Sequence, residues 1–524
     1  MAKIRYAYDI ETNGLFDTVD TIWCLVIVDA DTNEVFKYSD YDESLQPLSQ
    51  GLLKLDDADI LFGHNVIGYD NVVLKKLTGW EPKAHQTVTD TWLLSLINRY
   101  KRDHKHGLAG WGQHLGFAKG DFTDFSQYTP EMLAYCIRDV ELNVKVYHTL
   151  VGEAKKILAK HPMYAKGIEV EMKFAMIESE IQHKGWMFNM PAAVALLQDL
   201  ETQAAIIEQT LEPKIGMRCI PIDSKGEFKT AAWKKDGCYT INTVKHFGYT
   251  QESGRDERPI QGSYTRVELI QGKLGTDSVV KDYLYSIGWV PDEYNVERIN
   301  GKFVNKSPKI TESSLELLGK DGLAILKYNM VRSRAGILKG WIEAATKDGR
   351  LHGRMWTIGT PSFRCRHEIV ANIPSSKSEY GKEMRALLTC EEGLSIVGAD
   401  SAGNQMRGLC HDINDADFTE TVINGDVHQR NADVLSKVYP TTRKVAKPFL
   451  YAFLFGGGDG KAGLILTGKR DAKIGKAAKD MFKDSIPGMR SLIEKLESNY
   501  ENRRNGWWFG VVYHRIRTRG RAAP

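Results

Sequence analysis

The stretch YAYDIETNG, residues 6–14, ends a strand-like run in two acids, Asp9 and Glu11. Side chains alternate along a strand, so positions 9 and 11 face one way while Ile10 faces the core. Carboxylates held that close repel, and the pair is costly unless a cation sits between them. Taken alone, the stretch reads equally well as a solvated strand end running into a turn at Asn13-Gly14. Whether further acids join it decides the matter.

Two more follow in order. GHNVIGYD (63–70) supplies Asp70, with His64, Asn65 and Tyr69 beside it, and YCIRD (135–139) supplies Asp139. A lone aspartate is more often a cap or a surface charge. The ordered set is different: Asp-x-Glu on a first strand, Asn-x(3)-Tyr-Asp, then Tyr-x(3)-Asp on a helix. That last spacing puts Tyr135 and Asp139 on one helix face, a turn apart. Four hard oxygen donors are what two divalent metals about 4 Å apart need in phosphoryl transfer. One ion sharpens a water into a nucleophile, the other stabilises the leaving 3′ oxygen, and a tyrosine beside the water can orient it. Asp90, in VTDTWLLSL, is expected to cap a helix start and stays outside the set.

Around these acids, KIRYAYDI and TIWCLVIV read as strands, with a third at EVFKYS and another at DILFGHN. Helical patterns follow at 70–77, 90–99 and 130–150, so the first 150 or so residues read as one α/β domain. From 165 to 212 the pattern is long and helical, and GWMFN (185–189) reads as a turn between two antiparallel helices. Residues 216–310 look like an elaborated insert of short strands. Helical signal returns at 312–346 and again from 400 to 500.

Bulk properties exclude some classes. At 524 residues the chain allows about three domains. With 70 basic against 67 acidic residues, the net charge of +3 decides little, and a nucleic acid would have to be held by local basic clusters. Seven cysteines without CxxC spacing fit a reducing cytosol and argue against a disulfide framework or zinc knuckle. No apolar run approaches the roughly 18–20 residues of a membrane span, and a strand at the N-terminus leaves no signal peptide. The expectation is a cytoplasmic protein with no membrane partner.

The acid set resembles the 3′–5′ proofreading exonucleases of the DEDD type, in their tyrosine variant. The resemblance implies an RNase H-like fold, metal-binding roles for Asp9, Glu11, Asp70 and Asp139, and a water-orienting role for Tyr135. It also implies two Mg2+ ions, for which Mn2+ can substitute, and single-stranded 3′ ends as substrate, with His64 and Asn65 on the DNA.

A second constellation lies downstream. IVGADSAGNQMRGLCH (396–411) reads as another strand ending in an acid, Asp400, before a turn into a helix. In TTRKVAKPFLYAFLFGGGDG, Arg443, Lys447, Tyr451 and Phe455 recur every four residues and form one slowly drifting helical stripe. Two cations followed by two aromatics suit a nucleoside triphosphate, phosphates first and base last. Together these resemble motif A and the fingers helix of family A DNA polymerases, the bacterial polymerase I family, nearest to those of T-seven-like bacteriophages. HGLAGWGQHLGFAKGDFTDF (106–125), GSYTRVELIQGKLGTDSVVKDYLYSIGWVP (262–291), TIGTPSFRCRHEIVANIP (357–374), YGKEMRALL (380–388) and INGDVHQRN (423–431) extend the likeness over essentially the whole chain.

That resemblance implies an exonuclease domain at 1–155, thumb helices at 156–345 with an insert at 216–310, and a partial palm and fingers at 346–524. The fold class expected is thus an α/β domain followed by a mostly α, partly β polymerase region. Asp400 would bind the polymerase metals with the Ser401 carbonyl assisting. Arg443, Lys447 and His428 would hold the triphosphate of a deoxynucleotide, and Tyr451 would stack on it. Arg364 and Arg385 would lie near primer-template phosphates. Gln405 stands where the family usually has a glutamate that screens out ribose, Phe455 replaces a tyrosine, and Pro448 is expected to kink the fingers helix or displace its first turn. No His-Asp-Glu turn follows the fingers helix, and the tail VVYHRIRTRGRAAP alternates Arg515, Arg517, Arg519 and Arg521 like a basic strand. CHDI (410–413) lies too close to Asp400 to replace that turn.

The leading expectation is therefore a DNA polymerase chain with a complete exonuclease and an incomplete polymerase, joined by a second chain bearing the missing palm. The alternatives are an exonuclease acting alone and a non-catalytic DNA-holding scaffold. A thioredoxin-like processivity factor is a partner of the phage enzymes, but 216–260 matches too poorly to assign it here.

Overall fold

RYAYDIET forms strand β1 (Arg5–Thr12), with Tyr6, Tyr8 and Ile10 buried on one face of the sheet and Ala7 on the other. It lies at the centre of five strands in the order β3-β2-β1-β4-β5, where β2 is Ile22–Asp29, β3 Val35–Tyr38, β4 Ile60–Gly63 and β5 Thr87–Asp90. β2 and β3 pair antiparallel, while β4 and β5 run parallel to β1 and to each other. The computed structural model describes residues 3–222, 228, 230–248, 260, 262–299, 302–401 and 403–502.

Helices α1 (Leu48–Asp56), α2 (Asp70–Thr78), α3 (Thr91–Asn98) and α4 (Leu108–Leu115) connect and cover these strands. Helix α5 (Pro130–Leu158) packs on β1 and β2, placing Cys136, Val140, Val144 and Tyr147 against Ala7, Cys24, Val26 and Phe62. Thr129 starts α5 by accepting a hydrogen bond from the Met132 N–H, and Pro130 loses nothing at a position whose N–H is free anyway. Each such fully buried apolar side chain contributes about 1.5–3 kcal/mol, enough to hold charged neighbours in place. Gly63 ends β4 where a Cβ would meet Val66 at 1.9 Å and the Tyr8 carbonyl at 2.9 Å, so no larger residue fits beside β1.

The chain divides into two compact units. One holds Met1–Trp186, His352–Ala371 and the residues from Cys390 on; the other holds Met187–Leu351 and Asn372–Thr389. In the second, the helices Met190–Ile215 and Gly319–Ala344 pack together, and the Tyr328 hydroxyl donates to Glu208 at 2.7 Å. The stretch between them holds short strand pairs and also the helices Ile241–Phe247 and Asp277–Ser286. In the first, residues 404–502 are helical around a core that includes Leu409, Phe418, Leu435, Phe449, Leu450 and Phe482.

Two elements differ from expectation. GWMFN is no simple turn: Trp186–Phe188 is a strand, flanked by Arg350–Leu351 and Leu388–Thr389, because distant segments offer it backbone partners. The run before Asp400 is irregular rather than a strand. Leu394, Ile396 and Val397 are 58%, 49% and 90% exposed, and among the described residues no neighbouring strand pairs with them. A strand with nothing to hydrogen-bond has no means of staying one. The arginine-rich tail at 511–524 lies outside the described residues. Cys24, Cys136, Cys238, Cys365, Cys390 and Cys410 are free, and no described helix is long and apolar enough to cross a membrane.

Candidate active site

Asp9 and Glu11 leave β1 on the face that α5 covers, opposite Val26 and Cys24 of β2. Asp70 is the first residue of α2 and accepts a hydrogen bond from the Ile10 N–H at 3.1 Å, which ties the two elements together. Tyr135 and Asp139 come from the first turns of α5, on one face as their spacing requires. With His64, Asn65, Tyr69 and Lys119 they line a single cavity of about 250 Å3. All five residues expected at an exonuclease centre are brought together. A larger hollow of about 530 Å3 at Ser376–Glu383 has no such convergence of acids.

The electrostatics are strained. Glu11, Asp70 and Asp139 are buried, and Asp9 is largely so. Burial, then the charges of Asp139 and Asp70, pushes the Glu11 carboxyl up to about 8. Burial pushes Asp70 to about 6 and Asp139 above its ordinary range. Asp9 lies well above, from burial and then the Asp70 charge. Such a cluster stays protonated or takes up cations. Asp139 Oδ1 is buried without a hydrogen-bond partner, and one oxygen each of Asp9 and Glu11 lies within 4.8 Å of Cys136 Sγ. The oxygens of Asp9 and Glu11 thus fit a hard divalent cation there.

The remaining expected residues fall at the rim. His64 Nδ1 lies 2.9 Å from the Thr91 hydroxyl, which in turn sits 2.7 Å from Asn143 Oδ1. Burial lowers the imidazole to about 3, so His64 is neutral, and its buried Nε2 has no hydrogen-bond partner. Asn65 is in the left-handed region at φ 69° and exposed on the loop before α2. Asp90 caps α3 as expected, accepting from Trp92 and Leu93, and also binds the Asn65 and Ile67 N–H groups. It is a scaffold acid that shapes the loop carrying Asn65 and Asp70.

Sequence reasoning missed Lys119. Its Nζ is 2.7 Å from Asp139 Oδ2 and 5.0 Å from the centre of the Tyr135 ring. The ring centres of Phe122 and Phe125 lie 5.8 and 6.2 Å from that of Tyr135. The only signal was their presence in the stretch 106–125, where no residue was singled out.

The second constellation is arranged differently. Arg443–Leu454 is one helix with Pro448 inside it, so its first turn stays helical, and Ala446, Phe449 and Leu450 are buried while Arg443 and Lys447 are exposed. Arg443 pairs with Asp426 at 2.6 Å, and the Tyr451 ring lies 6.4 Å from both His428 and Phe455. Burial, then Lys447 and Arg443, lowers the His428 pKa, and its Nδ1 is buried without a partner. Arg364 stacks 5.2 Å from the Phe455 ring. Asp400 and Ser401 are exposed on the irregular segment, and Gln405 is exposed on the helix that follows. Arg385, in the other unit, donates to the Pro374 and Ile373 carbonyls at 2.9 and 3.3 Å.

No family model matches the chain. It is 24% identical to the DNA-directed DNA polymerase of Escherichia phage T7 over 93% of this chain and 80% of that protein. The DNA-directed DNA polymerase of Enterobacteria phage T3 matches equally, and that of Escherichia phage Phieco32 is 23% identical over 47% of this chain and 54% of its own length. Among solved structures, the POL domain of Pol1 from M. smegmatis, in complex with DNA primer-template and dNTP, superposes with a TM-score of 0.63. It is 16% identical and covers 96% of this chain and 76% of its own. The resemblance that the motifs carry thus extends along nearly the whole chain, and the fold is polymerase-like.

Proposed function

We propose that the chain is a phage-type DNA polymerase polypeptide whose residues 1–155 are a 3′–5′ exonuclease of RNase H-like fold acting on single-stranded 3′ ends. The convergence of Asp9, Glu11, Asp70, Asp139 and Tyr135 in one cavity carries this reading. Divalent ions, Mg2+ or Mn2+, would supply a lowered water pKa and stabilisation of the leaving 3′ oxygen. The chain's own contribution is to hold the four carboxylates around the reacting phosphate and keep Tyr135 beside the attacking water. Loss of 3′-labelled single-stranded DNA in Mg2+, abolished in Asp9→Ala and Asp139→Ala, tests it. Intact substrate with the unaltered protein would overturn it in favour of a DNA-holding scaffold.

For residues 346–524 the reading is a palm and fingers that bind primer-template DNA and a deoxynucleoside triphosphate, with the thumb at 156–345. The clustering of His428, Arg443 and Lys447, whose cations depress the histidine, supports an anion site there. Nucleotidyl transfer needs a second carboxylate beside Asp400. We assign that acid to a strand that pairs with the exposed 394–400 segment and is not among residues 1–524. Primer extension by this chain alone with all four deoxynucleotides would refute the assignment. The exonuclease acting alone is the second reading, favoured by a buried first acid cluster and an Asp400 that is exposed on an irregular segment.

A further inference from the structure

Lys119 is the one lysine or arginine among the described residues lining the acid cavity. It is held there by design of the local chain. Arg138 of α5 lies over the Phe117 ring at 3.2 Å and donates to the Ala118 carbonyl at 3.0 Å, pinning the backbone just before Lys119 to that helix. Gly120 follows, where a Cβ would stand 3.1 Å from the Tyr135 ring, so the chain can pass close behind the tyrosine. The ammonium thereby meets Asp139 at 2.7 Å and the Tyr135 ring at 5.0 Å, touching the expected metal ligand and the expected water-orienting group at once. Asp139 keeps its other oxygen buried and unpartnered.

An ammonium on Asp139 Oδ2 and a divalent ion on its free Oδ1 are like charges sharing one carboxylate, so the ammonium weakens ion binding there. Lysine is a compact point charge on a flexible stem, able to exchange one oxygen anion for another within reach. A bound 3′ end brings such an anion, the scissile phosphodiester. We propose that Lys119 is a positioning residue with two stations: it occupies Asp139 while the site is empty of DNA, and moves to the phosphate when DNA enters. The repulsion at Asp139 is then relieved, so ion loading is coupled to substrate. By linkage the coupling is reciprocal, ion binding tightening DNA binding by the same factor. The proposal rests on the exonuclease reading.

The test is the affinity for Mn2+, read as free Mn2+ by electron paramagnetic resonance, with and without an oligonucleotide carrying a phosphorothioate at its 3′-terminal linkage. Free Lys119→Met protein should bind the Asp139-dependent Mn2+ on the order of tenfold more tightly than the unaltered protein, the scale of removing one partly buried ionic competitor. The oligonucleotide should then tighten Mn2+ by correspondingly less in the variant, while Lys119→Arg keeps the original coupling. Lys119→Gln serves if the methionine variant does not fold. Equal Mn2+ affinity of the free unaltered and Lys119→Met proteins overturns the proposal and leaves the exonuclease reading standing. Mn2+ binding indifferent to Asp139→Ala overturns both.

Discussion

The two candidate acid sites begin from the same kind of sequence, an apolar strand-like run ending in aspartate, and finish in opposite states. β1 has β2 on one side and β4 on the other, and α5 lies across the face that carries its acids. Asp9 and Glu11 are therefore held with Asp70 and Asp139 in one cavity. The segment before Asp400 has the same apolar character but no described strand beside it, and Val397 stays 90% exposed. Neighbouring strands, more than the run itself, turn an acid at a strand end into a site. The order of the first cluster also has an energetic cost, visible in raised carboxylate pKa values, which a cation would relieve.

The comparison breaks most sharply if the first site is inert. Asp139→Ala should lower the rate of 3′-end degradation on the order of 10³-fold, the scale of losing a preorganised electrostatic group. A loss below tenfold would mean that these acids do not carry the chemistry. Tyr135→Phe keeps the ring against Lys119 and removes only the hydroxyl, so the turnover rate should fall about 10²-fold with little change in melting temperature, as for a group that handles the attacking water. An unchanged rate would reduce Tyr135 to packing.

Stability sharpens the contrast next. Glu11 has a folded pKa of about 8 against an ordinary 4.5, so the folded state keeps a proton the unfolded state has released between those values. Stability of the ion-free protein should therefore be unaffected by this group below 4.5, fall as pH rises, and lose its full share above 8. Glu11→Gln should raise stability at high pH by roughly 1–3 kcal/mol while abolishing degradation, measured by urea denaturation in a chelator. Mn2+ should restore the unaltered protein in the same range. A flat profile of stability against pH would show that the acids are better solvated than their burial implies. The smallest effect belongs to the second site: Val397→Asp should change stability by less than about 0.5 kcal/mol, because the side chain packs on little. A larger loss would place this segment in a sheet already formed within the chain.

Much of the first unit could be read from residue order. Alternation assigned Asp9 and Glu11 to one face, the four-residue interval assigned Tyr135 and Asp139 to one helix face, and Asp90 was separable as a cap because its position before TWLLSL is a helix start. Lys119 was not readable, since one lysine in a loop looks like any solvated lysine until Arg138 and Phe117 fix its backbone against α5. GWMFN misled for a related reason, since its partners at Arg350–Leu351 and Leu388–Thr389 are remote in sequence.

Local periodicity by itself determined which acids share a face, where helices begin, and that Arg443 and Lys447 lie along one helix stripe. Only the tertiary structure decided that four acids meet in one cavity, that an ammonium stands among them, and that the Asp400 segment has no strand partner among the described residues. The physical reason is range: side-chain direction follows from backbone geometry a few residues long, whereas burial, charge pairing and strand partnership depend on groups that approach only when the chain folds.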